Sequence, residues 1–241
     1  IGDSCEDRYF YGDVKRLNPE APVPILEYKR AVTSKGMAWN VRENLLSFGV
    51  EVYISTHPEE IIKTRYIDEK SNQQIMRYDE EPEITPISFE FPEEWKHEYD
   101  ALVISDYDKG FITQPKLFEL SNWFQGPVFI DTKKTSIPGN AFIKVNESEF
   151  KKITHFIPDN MIITKGGEGT EYQGELYPAE KVNVFDVVGA GDTFLAALTY
   201  GYLKYGRIDK AIPLANKAAS IAVSHRGTYV LTEEDVTKIL H

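Results

Sequence analysis

Apolar residues follow two patterns along the chain, and the change between them divides it. After residue 100, short uninterrupted apolar runs stop at polar turn residues: Ala101-Leu102-Val103-Ile104 at Ser105-Asp106, Val128-Phe129-Ile130 at Asp131-Thr132, and Met161-Ile162-Ile163 at Thr164-Lys165-Gly166-Gly167. Runs without alternation predict strands buried on both faces, as in a parallel sheet. Helical stretches over 114–124 and 147–153 separate them, so strand and helix alternate and the expected class is α/β. In such sheets ligands collect beyond the carboxyl ends of the strands, which is where Asp106, Asp131 and Lys165 would sit.

The first third reads differently. Residues 25–32, 63–67 and 74–78 alternate imperfectly and predict antiparallel strands with one solvated face. A small sheet beside an α/β body suggests a lid over a cleft or an interface. Residues 40–47 predict a helix, with Gly49 as its C-terminal stop. Breaks fall at 19–24 (PEAPVP), in the acidic stretch 79–94 and at Pro138-Gly139, and no internal repeat appears.

Charge narrows the choice of partners. The 241 residues include 27 Lys and Arg against 38 Asp and Glu, a net charge of −11. Phosphate neutralisation supplies much of nucleic-acid affinity, so this field argues against DNA, RNA and anionic membranes as partners. No apolar run approaches the roughly 20 residues that span a bilayer. Cys5 is the single cysteine, which excludes an intrachain disulfide and fits a reducing compartment, so a cytoplasmic location is expected. The histidines lack zinc-ligand spacing. The length suits one large domain over residues 1–241. The first residue is Ile rather than Met, which leaves upstream residues open.

The most informative segment is NVFDVVGAGDTFLAALTY, residues 183–200. From Phe194 onward it predicts a helix, and Gly189-Ala190-Gly191-Asp192 stands at the entrance. Glycines there let the backbone approach a ligand, and the unpaired first-turn amides with the positive dipole end make an anion pocket. On these letters alone Asp192 reads first as a helix N-cap, since Asp is among the best N-cap residues, and the site role stays open beside it. A dinucleotide fingerprint fails because Phe194 stands where its third glycine belongs, and no Walker loop occurs.

The run Asp186-Val187-Val188-Gly189-Ala190-Gly191-Asp192-Thr193-Phe194 resembles the C-terminal signature of ribokinase-like (PfkB-type) sugar kinases. The resemblance implies a mostly parallel sheet flanked by helices, with an antiparallel lid formed by segments of about 9–33 and 63–80. It implies Asp192 as the base for the sugar hydroxyl, and the amides of Gly189, Ala190 and Gly191 as the anion hole for the moving phosphoryl group. Asn146, Glu147, Ser148 and Glu149 resemble the family's N-x-x-E element, which organises Mg2+ with ATP. On their own letters Asn146 and Glu149 read as a helix cap and its partner. Lys165 and Gly167 resemble the nucleotide-phosphate turn, and Asn216 the asparagine beside the adenine. Asp186 and the carbonyl of Val188 match positions that hold K+ in many relatives.

Within the family, the opening Gly2-Asp3, Asp7-Arg8-Tyr9-Phe10-Tyr11-Gly12 and the PEAPVP segment resemble D-glycero-D-manno-heptose 7-phosphate kinases. So do Lys63-Thr64-Arg65, the run from Asn72 through Asp79, and Ser105-Asp106-Tyr107-Asp108-Lys109-Gly110. This implies Asp3, Asp7, Gly36, Asn40 and Asp106 on the sugar, and Lys109 with Arg65 or Arg77 on the phosphate it already carries. Dimerisation through the lid is common in the family and is expected here.

The chain departs from the pattern twice. Only Gly36 remains of a usual Gly-Gly pair, with bulky Met37 and Trp39 beside it, which would narrow the sugar pocket. The stretch between Gly49 and Lys63 is too short for the relatives' strand-helix-strand passage, so an edge strand and its helix are expected to be missing. Two rivals therefore stand beside the heptose kinase: a kinase for another sugar or nucleoside, and an inactive nucleotide- or sugar-binding relative.

Overall fold

The computed structural model describes residues 1–154 and 158–241. Four strands form the first sheet: β1 (Ser4–Leu17), β2 (Pro24–Met37), β3 (Ile62–Asp68) and β4 (Gln73–Glu80), in the order β2-β1-β3-β4. β1 with β2 and β3 with β4 are antiparallel pairs, but β1 and β3 run parallel, against the expectation of an all-antiparallel lid. The reason is the crossover between them: β2, the helix α1 (Ala38–Ser47) and the connection over 48–61 bring the chain back to start β3 in the direction of β1. The first two strands also run beyond the expected 9–33 segment at both ends.

Register decides what this sheet presents. Ser34, Asp7, Lys63 and Asp79 stand in one cross-strand row; Val32, Tyr9, Arg65 and Arg77 stand in a row two residues along. A period of two puts both rows on the same face. The opposite face carries Phe10 stacked on Tyr66 at 5.4 Å, with Met76 and Tyr78 half exposed.

The second sheet has six strands: β5 (Leu102–Asp106), β6 (Val128–Thr132), β7 (Phe142–Asn146), β8 (Met161–Thr164), β9 (Thr170–Tyr172) and β10 (Glu175–Tyr177). They lie in sequence order; β5 to β8 are parallel, and β9 and β10 close the far edge antiparallel. Consecutive residues go to opposite layers, with Phe129 packing among Phe194, Leu195, Leu198 and Ile212 and Ile130 among Ile104, Leu117, Ile143 and Val145. Both layers are apolar, which is why the sequence shows runs rather than alternation. The covering helices are α3 (Gln114–Trp123), α5 (Ala190–Tyr205), α6 (Ile208–Val223) and α7 (Glu233–Leu240), with one-turn helices α2 (Trp95–Glu98) and α4 (Glu147–Phe150). α4 is shorter than the expected helix, and α5 begins four residues before Phe194.

Residues 48–61 contain no helix or strand. Beyond the edge strand β5 lies the parallel bridge Gly2–Ser105, with a cavity of about 750 Å³ alongside, lined by Ile1, Val41, Leu45, Trp95 and Trp123 among others. No helix among the described residues is long and apolar enough to cross a membrane.

Candidate active site

The site is built around the start of α5. Gly189 takes the N-cap position at φ 77°, a left-handed conformation that favours glycine. A Cβ on it would stand 2.8 Å from Asn40 Nδ2, so space as well as backbone angle requires its absence. Its carbonyl accepts from Thr193 N at 3.0 Å and from Asn40 Nδ2 at 3.2 Å. The amide of Ala190 reaches back to Val187 O at a long 3.4 Å.

Asp192 lies in the first turn, yet no side chain caps this helix. The N-cap reading therefore fails. The carboxylate turns inward, where Tyr107 O–H donates to Oδ1 at 2.9 Å and Asn40 Nδ2 donates to Oδ2 at 3.3 Å. Asn44 holds Asn40 in place through Nδ2 to Oδ1 at 3.0 Å, and Leu231 N fixes Asn44 in turn. Asp192 is 2% exposed. Burial pushes its carboxyl up to about 7 and the charge of Asp131 adds to this, while Tyr107, Lys144 and Asn40 pull the other way. A carboxyl poised near neutrality suits a general base.

Lys144 and Asp131 form a buried ion pair at 2.7 Å. A Cβ built on Gly191 would meet Lys144 Nζ at 2.7 Å, so the ammonium lies against the glycine turn. Burial works against its charge, but Asp131 outweighs this and holds its pKa above the ordinary lysine value. The turn thus combines backbone amides with a fixed cation, an arrangement that stabilises an anion.

On the sugar-facing side expected from the sequence, Asp3 is fully buried; its Oδ2 accepts from the amides of Tyr107 at 2.8 Å and Lys109 at 3.2 Å. Its Oδ1 has no hydrogen-bond partner among the described residues. Burial pushes this carboxyl's pKa up. Asp7 pairs with Arg65 at 2.5 Å and accepts from Thr228 Oγ1 at 3.0 Å. Gly36 packs against it, since a Cβ there would lie 2.5 Å from Asp7 Oδ2. Asp106 is taken up by Thr132 Oγ1 at 2.6 Å and Lys134 Nζ at 3.0 Å. Arg77 forms a two-pronged pair with Asp79, and Lys109 pairs with Glu81 at 2.6 Å. Lys63, on the same sheet face as Arg65 and Arg77, has no ion-pair partner among the described residues.

Met37 stands where the second glycine of the expected pair belongs, and it adopts φ 59°. That left-handed angle explains why glycine suits the position, and holding methionine there costs roughly 1–3 kcal/mol. Its side chain packs in the apolar core with Cys5. Trp39 is flanked by Lys35, at 4.2 Å from the ring centre, and by Arg42 at 5.4 Å.

The residues expected at the nucleotide lie mostly along the ends of β7 and β8. Asn146 caps α4, accepting from Glu149 N at 3.0 Å and Ser148 Oγ at 2.7 Å, while its own amide donates to Glu149 Oε2 at 2.9 Å. Glu149 also pairs with Lys133. Burial opposes its charge, but the Asn146 amide and Lys133 hold the carboxyl below the ordinary range. Glu147 is exposed in the same turn. Lys165 pairs with Glu171 at 2.5 Å, and Gly167 faces open space. Asn216 is buried rather than solvent-facing: it accepts from Thr170 Oγ1 at 2.6 Å and donates to Tyr177 O at 2.8 Å, tying α6 to the β9–β10 hairpin. Asp186 accepts from the amides of Val188 at 3.1 Å and Gly227 at 3.0 Å, latching the loop before α5.

Asp3, Tyr107, Asp192, Asn40 and Gly189 therefore join in one hydrogen-bonded chain. Thr228, which donates to Asp7, packs its methyl group close to Gly189, so Asp7 lies beside this chain without a hydrogen bond to it. Lys165 and Asn216 share no hydrogen bond with that chain. Sequence reasoning assigned no role to Tyr107, Lys144, Lys133, Lys63 or Thr228. Lys144 carried a signal nonetheless, as a lysine inside the apolar strand Phe-Ile-Lys-Val-Asn is rarely buried without a partner.

Mg2+ is compatible with the donors present. It favours hard oxygen ligands, keeps several waters and leans on substrate phosphates rather than a protein cage. Asn146 and Glu149 offer such oxygens, and no group of three or more His, Cys, Asp or Glu among the described residues could form a cage.

Residues 125–235 match the pfkB family carbohydrate kinases. Among curated proteins, the bifunctional protein HldE of a Nitratiruptor species is 31% identical across 98% of this chain, and that of Helicobacter acinonychis is 29% identical across all of it. The chain spans 63% and 65% of their respective lengths. Among solved structures, phosphofructokinase-2 from Escherichia coli in complex with potassium superposes with a TM-score of 0.70 at 16% identity, covering 99% of this chain and 97% of that one. Ribokinase from Thermotoga maritima gives 0.68 at 15% identity, covering 99% and 98%. Residues 125–235 thus carry the match to the pfkB family carbohydrate kinases, on a chain whose architecture is the ribokinase-like α/β fold.

Proposed function

We propose that the protein transfers the γ-phosphoryl group of ATP to the anomeric hydroxyl of a sugar phosphate, D-glycero-D-manno-heptose 7-phosphate, giving the 1,7-bisphosphate. The observation that carries this reading is the inward-turned, buried Asp192 carboxylate, raised to about 7, beside the glycine turn. In the reaction the acceptor O–H gives its proton to Asp192 as its oxygen bonds to the γ-phosphorus. The bond from that phosphorus to the bridging oxygen breaks, and ADP leaves. The amides of Gly189, Ala190 and Gly191, with Lys144 against the turn, balance charge on the moving group. Asn146 and Glu149 would hold Mg2+ through water, and the ion would supply charge neutralisation for the nucleotide phosphates. Lys165, Gly167 and Asn216 serve the nucleotide, with Glu147 and Ser148 in the same turn. Asp186 and the Val188 carbonyl are the candidates for K+, and the hydrogen bonds Asp186 already accepts give it a latch function independent of any ion.

Asp3, whose Oδ1 lacks a partner, is the strongest candidate for a sugar hydroxyl. Asp7, Gly36, Asn40 and Asp106 shape the surroundings. Lys63 joins Arg65, Arg77 and Lys109 as a candidate for the substrate's phosphate. The HldE relatives support the heptose assignment. A second reading, a kinase for a different sugar, draws on Arg65, Arg77 and Lys109 each being paired to a carboxylate. The outer face of the first sheet, with Met76 and Tyr78, would support a cytoplasmic homodimer through this lid. Measuring ADP release with ATP, Mg2+ and a panel of sugars and sugar phosphates tests the reading. Fastest turnover with the heptose 7-phosphate is expected, and no turnover with any acceptor would overturn it.

A further inference from the structure

We propose that Tyr107 guards the base: its hydroxyl holds the place on Asp192 Oδ1 that an acceptor alcohol takes, and so keeps water from being phosphorylated before sugar arrives. This inference rests on the kinase reading above. A kinase that activates a hydroxyl faces a standing competitor, because water is also a hydroxyl and is always present. Attack by water forms a bond from its oxygen to the γ-phosphorus, breaks the bond to the bridging oxygen, passes the proton to Asp192 and yields ADP with inorganic phosphate. Excluding water until the acceptor is seated suppresses that loss.

Tyr107 is placed for this role. It follows the last residue of β5, and its backbone amide donates to Asp3 Oδ2 at 2.8 Å, so the residue is anchored to the carboxylate with the unpartnered Oδ1. Its phenol donates to Asp192 Oδ1 at 2.9 Å. Burial and the neighbouring Asp192 charge push the phenol's pKa well above its ordinary value, which keeps it a donor. Asn40 covers the other oxygen, so both oxygens of the base carry a protein donor. The ring also has a cation from each side of the reaction nearby. Lys63 Nζ, from the first sheet, is 5.9 Å from the ring centre, and Lys133 Nζ, the partner of Glu149, is 5.1 Å away. An acceptor that draws on Asp3 and Lys63 acts on the groups that hold Tyr107, which couples its arrival to release of Oδ1. Tyr107 is a positioning residue in this account, since it acts through Asp192.

Tyr107→Phe keeps the ring and removes the donor. ADP release from ATP and Mg2+ without sugar is expected to rise about fivefold over wild type, the scale of one lost hydrogen bond. Adding Asp192→Asn is expected to abolish the rise. In ¹³C carboxyl titrations, Asp192 is expected to protonate at higher pH in the Phe variant, because the phenol stabilises its ionised form against Asp131 and alongside Asn40 and Lys144. The titration shift checks that the bond to Asp192 is lost, and a purely structural tyrosine would leave the acceptor-free rate unchanged. Acceptor-free ADP release at or below the wild-type rate overturns the proposal. If wild type still phosphorylates sugar in that case, the kinase reading stands and the guard alone falls. If wild type phosphorylates no sugar, both fall.

Discussion

The two ends of the site are built on different principles. Around Asp192 the charged groups are buried: a carboxylate with both oxygens bonded and an enclosed Lys144–Asp131 pair, beside a left-handed glycine. On and beside the first sheet, most of the charge is held in pairs, some of them near solvent, as in Arg77–Asp79 on β4 and Lys109–Glu81 next to it. Exposed pairs are weak and can be exchanged for a ligand's charges, whereas a buried network cannot be rearranged without loss. In the proposed reaction the transfer chemistry thus rests on buried groups, of which only the Tyr107 bond gives way to the acceptor, and acceptor choice on replaceable ones.

Substitutions should separate the two ends. Asp192→Asn removes the base while keeping the shape, and sugar-dependent turnover should fall by about 10³-fold or more with ATP affinity by calorimetry little changed. Gly191→Val drives a side chain into Lys144, and kcat should fall by about 10²-fold, on the scale of losing an anion-hole donor. Unchanged kinetics in that variant would remove the anion hole from the account. At the acceptor end the effects should be smaller and should appear in KM. Lys63→Ala should raise KM for a phosphorylated sugar about tenfold with kcat nearly kept. Arg77→Ala should change it by less than about threefold, because its charge is already spent on Asp79. Equal losses from the two would erase the distinction between a free and a paired cation.

How much was legible in the sequence follows the same division. The buried strands announced themselves as apolar runs, and the glycine turn with Asp192 stood out because few local structures need those letters together. The choice between cap and base could not be made from them, because Tyr107 and Asn40, which turn the carboxylate inward, lie 85 and 152 residues away in the chain. The parallel pairing of β1 and β3 was hidden for a similar reason, since strand direction depends on the path through α1 and residues 48–61 rather than on any local pattern. Met37 is the reverse case. Its departure from glycine was visible, but its positive φ and core-facing side chain were not, and the expectation that it narrows a sugar pocket came from size alone.

The pH dependence of kcat/KM for the sugar tests the central claim most directly. Asp192 must be ionised to accept the acceptor's proton, and burial together with Asp131 raises its pKa to about 7 against the pull of Lys144, Tyr107 and Asn40. The rate should therefore hold above neutrality and fall tenfold per pH unit below about 7. A profile that stays flat down to the ordinary carboxylate range near pH 4 would contradict a buried Asp192 acting as the base.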